Sequence, residues 1–212
     1  MFKQIAGELK RHAPFTAFGA VTGIIIMVII IFGDFLAKVS PVSDDVFYVL
    51  HPTHVFLSAL VTTSLFVSYG RRKIWLAVLI GYTGSIGIAT VSDSIIPYIG
   101  ETLLDLPNRG IHIGFIEEPL LTNPAAFAGI VVGYWWSITR FPHAGHVLIS
   151  TWASLFHIIM AVGTTLSWVQ FLAIFLFLFL AVWLPCCVSD IIYPILFARR
   201  SASTLSEVTQ HS

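Results

Sequence analysis

Two histidines one helical turn apart are the first residues in this chain whose spacing suggests chemistry. His51 and His54 occur in the sequence His-Pro-Thr-His, so both imidazoles project from one face of a helix. Asp93, in Ser-Asp-Ser, stands at a similar predicted depth in the next apolar segment. Imidazole nitrogens and carboxylate oxygens suit divalent metals, and the same groups relay protons because histidine titrates near neutral pH. We predict that these three side chains approach closely enough to share an ion or a proton.

The segment that follows Asp93 adds further groups of the same type. Residues 100–118 have mixed polarity and are too apolar for a simple solvated linker, so we expect them to lie on a membrane surface or to fold back into the protein. His112, Glu117 and Glu118 belong to this segment. The candidate ligands of an outer metal site are therefore His51, His54, Asp93, His112, Glu117 and Glu118.

A second group of chemically competent residues is predicted near the opposite membrane face. His143 and His146 open the fifth apolar segment, and Cys187 and Asp190 lie late in the sixth. An aspartate in a membrane helix costs a few kcal/mol, so Asp190 needs a partner, and His146 is a candidate. Cys186 and Cys187 differ by about 100° in direction on a helix, so at most one thiol points squarely into such a site.

A polar stripe in the fifth segment connects the two groups. His146, Ser150, Ser154 and His157 recur at helical spacing. His157 lies about 16 Å along the helix axis from His146, which places it near the bilayer midplane. A stripe at that depth faces protein or water, and two interpretations stay open: a route for an ion, or hydrogen bonds that join helices.

The elements that position these residues are predicted to be membrane-spanning helices. Of 212 residues, 57% are hydrophobic and only 10% are charged, against about 25% charged in soluble domains. The apolar residues fall in six blocks, each long enough to cross a hydrocarbon core of about 30 Å. The blocks cover residues 14–39, 47–69, 74–99, 119–141, 146–166 and 168–197. We predict an all-α, polytopic bundle of about six transmembrane helices in a cell membrane.

Basic residues set the predicted orientation. In a six-span arrangement all of the 11 lysines and arginines except Lys38 and Arg109 fall on one side, so both termini are predicted to be cytoplasmic. Residues 1–200 then form one membrane domain, and the polar residues 201–212 form a disordered cytoplasmic tail. The zero net charge gives no reason to expect a nucleic acid partner. Lipids surround such a bundle, which is compatible with a homo- or hetero-oligomer.

Three functions are compatible with this pattern. The first is a permease or channel-like carrier for a metal cation, with or without coupled proton movement. Capture at His51, His54 and Asp93, relay at His157 and release at His146 and Asp190 would follow, or the reverse order in an exporter. The second is an enzyme acting on a lipid or other hydrophobic substrate, in which His51, His54 and Asp93, with His112 as a further candidate ligand, hold a metal and Glu117 or Glu118 is the general base. The third is a haem- or quinone-binding subunit with axial histidines. In the first two the bound group is a divalent metal ion.

Overall fold

The computed structural model describes residues 2–68, 73–136, 140–163, 165–188, 193 and 197. The described chain is helical and contains no β-strand. Its helices are α1 (Phe2–Phe32), α2 (Leu36–Ser68), α3 (Ile74–Thr90), α4 (Ile96–Leu103), α5 (Gly114–Glu117), α6 (Pro119–Trp135), α7 (Arg140–Ala161) and α8 (Trp168–Cys187). A π-helical segment, Val91–Ile95, joins α3 to α4, so Ile74–Leu103 is one continuous helix.

Four helices are long and apolar enough to cross a membrane: Ala13–Phe32, Leu36–Ser68, Ile74–Leu103 and Trp168–Cys186. Two of the six predicted spans are shorter, since α6 has 17 residues and the apolar part of α7 is Gly145–Ala161. Large apolar side chains such as Phe18, Ile29 and Leu172 are exposed, whereas most polar side chains of α2 from His51 onward and of the described part of α7 are buried. This inverted distribution suits a hydrocarbon solvent.

The first predicted span ends earlier than the hydropathy suggests. Residues 14–39 were expected to form one helix, but α1 ends at Phe32 and α2 begins at Leu36. The turn between them places Asp34 at a φ of 59°, a left-handed conformation that asparagine and aspartate tolerate better than most residues. Consequently α2 begins 11 residues before the predicted start of span two, and His51 and His54 lie in the middle of a 33-residue helix.

Helix α2 is the centre of the bundle and packs against α3, α6 and α7. Gly129 and Gly133 of α6 face the α2 backbone at the carbonyls of Phe56 and Leu60, where a Cβ atom would clash. Such close approach at glycines four residues apart is typical of helix pairs in membranes. It holds α6 close against α2, and α7 also packs along α2.

The segment between α4 and α5 folds back onto the bundle, which is one of the two alternatives expected for it. Leu106 is buried among apolar side chains of α1, α7 and α8. The backbone N–H of Asn108 donates to the carbonyl of Ala161 at 3.1 Å, which ties the segment to the end of α7. The segment therefore covers the end of the bundle at which His157 lies.

Candidate functional site

Asp93 is the centre of a fully buried polar cluster. Its Oδ2 lies 2.9 Å from His51 Nδ1 and 2.7 Å from His54 Nδ1. Its Oδ1 accepts hydrogen bonds of 2.7 Å from the hydroxyls of Ser92 and Ser150. All five side chains are at most 1% exposed. The predicted approach of His51, His54 and Asp93 is therefore confirmed.

The π-helical segment explains how Asp93 reaches this position. The N–H of Ile96 donates to the carbonyl of Val91, and Pro97 has no N–H, so the carbonyl of Ser92 lacks its usual helical donor. The Ser154 hydroxyl of α7 lies 3.0 Å from that carbonyl and supplies the hydrogen bond. A proline and a serine on different helices thus stabilise a local backbone distortion that directs Ser92, Asp93 and Ser94 into the core. Single-turn π segments are frequent at functional sites.

Helices α2 and α7 contribute matching polar stripes. On α7 the predicted stripe is buried along its whole length, from His146 to His157. On α2 the facing polar positions are His51, His54 and Ser58, and the apolar Phe47 precedes them on the same face; all four are buried. The two stripes run in opposite directions, since His54 lies beside His146 whereas Phe47 lies beside His157. Asp93 enters between them from a third helix.

His54, His146 and Cys186 form a second buried group directly beside Asp93. The rings of His54 and His146 stack with centroids 5.7 Å apart, and Cys186 Sγ lies 4.0 Å from His54 Nε2. One ligand atom from each of the three residues lies within 4.8 Å of the others, so the group could hold a metal ion. The sequence led us to assign His54 and His146 to opposite membrane faces. The structure corrects that assignment, because the early start of α2 moves His54 inward by several helical turns.

His157 takes part in a separate buried pair toward the other end of α7. Its Nδ1 lies 2.7 Å from Glu101 Oε1, and neither side chain is exposed. The N–H of Gly110 donates to Glu101 Oε2 at 3.3 Å, and the N–H of His112 donates to His157 Nε2 at 3.4 Å. The pair is thus covered by the folded-back segment. His157 does not lie between two separate sites as predicted, because the inner and outer residues it was to connect already meet at Asp93 and His54.

Phe47 separates the Asp93 cluster from the His157 pair. Its ring stacks on His51 at a centroid distance of 5.3 Å and meets His157 edge-on at 5.4 Å. It also lies 6.4 Å from the ring of His112. Phe47 is fully buried. One apolar side chain therefore interrupts an otherwise polar series of rings.

His112 and Glu117 continue the series to the protein surface. His112 Nδ1 lies 3.5 Å from Glu117 Oε2, with the two side chains 30% and 40% exposed. Glu117 also accepts a hydrogen bond from the Tyr48 hydroxyl. Glu118, proposed beside Glu117, is exposed at the start of α6. His112 and Glu117 thus join the series, and Glu118 stays outside it.

Three predicted inner residues cannot be placed at the site. The side chains of His143 and Cys187 lie outside the described part of the structure, and so does the whole of Asp190. Two potential ligand residues of the observed site were not predicted. Glu101 was assigned to a surface segment, although the run of apolar residues before it gave a signal that the helix continues. Cys186 could not be distinguished from Cys187, because adjacent thiols offer no sequence signal for direction.

No protein-family model, no curated protein and no solved structure matches this chain.

Proposed function

We propose that this chain is a multi-pass cell-membrane protein that passes a metal cation, coupled to protons, along a line of histidines. The line consists of His146, His54, His51, His157 and His112 in spatial order. The observation that carries the proposal is that four of these five histidines contact carboxylates. His51 and His54 share the buried Asp93, His157 contacts the buried Glu101, and His112 contacts Glu117 at the surface.

The distribution of charge favours passage over a purely structural role. A buried carboxylate is costly in a membrane protein, and a helical bundle can be held together by hydroxyls and small residues alone. Here Asp93 and Glu101 occur at two levels of the same bundle, with Asp93 bonded to His51 and His54 and Glu101 bonded to His157. Two such levels provide successive positions at which a cation exchanges hydration for protein ligands while its charge is balanced. Histidine protonation at each level gives a means to couple proton movement to the passage of the metal.

Phe47 supplies the closed state that such a path requires. A carrier must prevent ions and protons from leaking continuously across the membrane. An apolar constriction does this because it excludes water and ions from the path. Phe47 lies between the two carboxylate levels and touches histidines on both. A change in its rotamer, or a shift of α2 against α7, would connect the levels.

An enzyme that uses a bound metal on a hydrophobic substrate is the second candidate. The compact group of His54, His146 and Cys186 favours it, since three protein ligands with an open fourth position are typical of catalytic zinc. The second polar level at Glu101 and His157 has no part in that mechanism. We therefore favour the permease over the enzyme. The stacked rings of His54 and His146 do not form the opposed pair that a haem iron needs.

Flux measurements on variants test the proposed path. The parent protein, His51→Gln and Thr53→Ala are reconstituted in liposomes, and uptake of divalent metals and of protons is followed. His51 belongs to the line, whereas Thr53, two residues later on α2, is half-buried and its hydroxyl donates to the carbonyl of Val49. We expect loss of uptake in His51→Gln and parental uptake in Thr53→Ala. Equal uptake by both variants would remove His51 from the path.

A further inference from the structure

Asp93 has no acceptor position left for a metal. An ionised carboxylate offers about four lone-pair sites, and here Oδ2 faces two imidazole nitrogens while Oδ1 accepts from two hydroxyls. The four groups come from α2, α7 and the π segment, so they hold the carboxylate from three directions. A metal at Asp93 would have to displace at least one of them.

The same hydrogen bonds determine which nitrogen of His54 is available. A carboxylate can only accept, so Nδ1 of His54 carries the proton that it donates to Asp93. In the neutral ring Nε2 then carries the lone pair, and in this structure that lone pair faces the Cys186 thiol, with Sγ at 4.0 Å. A carboxylate that holds one nitrogen of a histidine while the other nitrogen faces a ligand group is the usual support of a metal-bound histidine.

We propose that His54 Nε2, His146 and Cys186 Sγ bind a transition metal ion of the zinc class, and that Asp93 is a positioning residue for His54. This proposal rests on the proposed function, whose cargo class and binding site it names. It replaces the set of His51, His54 and Asp93 that the sequence suggested as direct ligands. His51, on the other side of Asp93, then has its Nε2 available to receive the metal or a proton next along the line.

The chemistry of the three ligands sets the selectivity. One thiolate and two imidazoles favour zinc, cobalt or copper over magnesium and calcium, which prefer oxygen ligands. Tetrahedral coordination places nitrogen and sulfur ligands about 3.6 Å apart, so the present separations, all within 4.8 Å, require only small side-chain movements. Three ligands leave a fourth position open, through which the ion can be exchanged.

Metal binding converts a thiol into a thiolate. The S–H bond of Cys186 breaks, a metal–sulfur bond forms, and the proton passes to water, so each divalent ion bound releases one proton. No electron is transferred. The displaced proton provides a stoichiometric link between metal and proton movement at this site.

Cobalt(II) is the probe for this site, because it substitutes for zinc and gives a thiolate-to-cobalt charge-transfer band in the near ultraviolet. Purified full-length protein in detergent is titrated with Co²⁺ and the release of protons is measured in weak buffer. We expect one ion per chain, the charge-transfer band, one proton released per ion, and displacement by Zn²⁺ but not by Mg²⁺. Cys186→Ser should lose the band, and Cys187→Ser, the matched change at the neighbouring cysteine, should retain it.

Asp93→Asn separates positioning from ligation. If Asp93 orients His54, the variant binds Co²⁺ with about 10- to 100-fold lower affinity, the range seen for groups that support ligands, but keeps the stoichiometry and the charge-transfer band. Asp93→Glu should recover part of the affinity. A parent protein that binds no Co²⁺, or binds it without a thiolate band, would overturn the proposal, as would loss of the band in Cys187→Ser alone. Binding with these signatures but without flux would instead contradict only the permease.

Discussion

His54 and Asp93 are 39 positions apart in the chain, yet Nδ1 of one lies 2.7 Å from Oδ2 of the other in a fully buried setting. This contact connects the two halves of the candidate site. Through Oδ1, Asp93 is held by serines of the π segment and α7, and through Nε2, His54 faces Cys186. Removing one of these hydrogen bonds should therefore shift the side chain of His54 while the overall fold is kept.

Ser150→Ala removes one of the two hydroxyls that hold Asp93 Oδ1. We expect metal uptake in proteoliposomes to fall by about tenfold, the lower end of the effect of groups that support metal ligands. The matched control is Ser64→Ala, since the buried Ser64 hydroxyl bonds the carbonyls of Gly133 and Trp136 away from the site. Both changes should cost about 1 to 2 kcal/mol of stability at most. Parallel loss of uptake in both variants would indicate a general effect on folding.

Phe47→Ala removes the apolar ring between the two carboxylate levels. We expect a proton leak across the membrane that the parent protein lacks, measured with a pH-sensitive dye inside the vesicles, because water can enter the space vacated by the ring. Phe66→Ala is the control, as Phe66 is equally buried but packs with Ala77 and Ile80. Each truncation should cost about 3 to 5 kcal/mol. A leak through Phe66→Ala, or none through Phe47→Ala, would show that Phe47 is not the barrier.

Glu101→Gln keeps the shape of the side chain but removes its charge beside His157. At an effective dielectric constant of about 20, a carboxylate attracts a cation 4 Å away by roughly 4 kcal/mol per unit charge, so we expect uptake to fall by about tenfold or more. Glu118→Gln makes the same change at an exposed position of the neighbouring segment. Initial rates at several metal concentrations distinguish weaker binding from slower passage. If Glu101→Gln transports like the parent, the second level is structural only.

The orientation predicted from basic residues is testable by labelling. Asp105→Cys, at a side chain that is 89% exposed, should react with a membrane-impermeant thiol reagent added to intact cells. Lys73→Cys should react only after the cells are opened, because the positive-inside rule places it in the cytoplasm. Both are made in a background of Cys186→Ser and Cys187→Ser. The reverse labelling pattern would invert the predicted topology.

Some of the candidate site could be predicted from the sequence because it depends on local periodicity. The stripe from His146 to His157 follows directly from helical spacing, and so does the shared face of His51 and His54. Burial of that stripe follows from the cost of polar groups in hydrocarbon. These inferences need no knowledge of how the helices are arranged.

The parts that could not be predicted depend on helix register. Hydropathy places a boundary where polarity changes, but Leu36 begins a helix that carries Asp44 and Asp45 inside it, so His54 lies further from the helix start than hydropathy predicts. The distorted backbone around Asp93 depends on a hydrogen bond from Ser154, 61 residues later, which no local pattern reveals. The partner of Glu101 likewise becomes apparent only once α4 is seen beside α7.

The most direct test of the central claim is zinc flux into liposomes that contain only the purified parent protein, followed with a zinc-sensitive dye inside the vesicles. The account predicts saturable zinc entry well above the rate of protein-free vesicles, competed by Co²⁺ and not by Mg²⁺, and accompanied by proton movement. Entry at the protein-free rate for every metal and for protons would contradict it and would favour the metal-dependent enzyme instead.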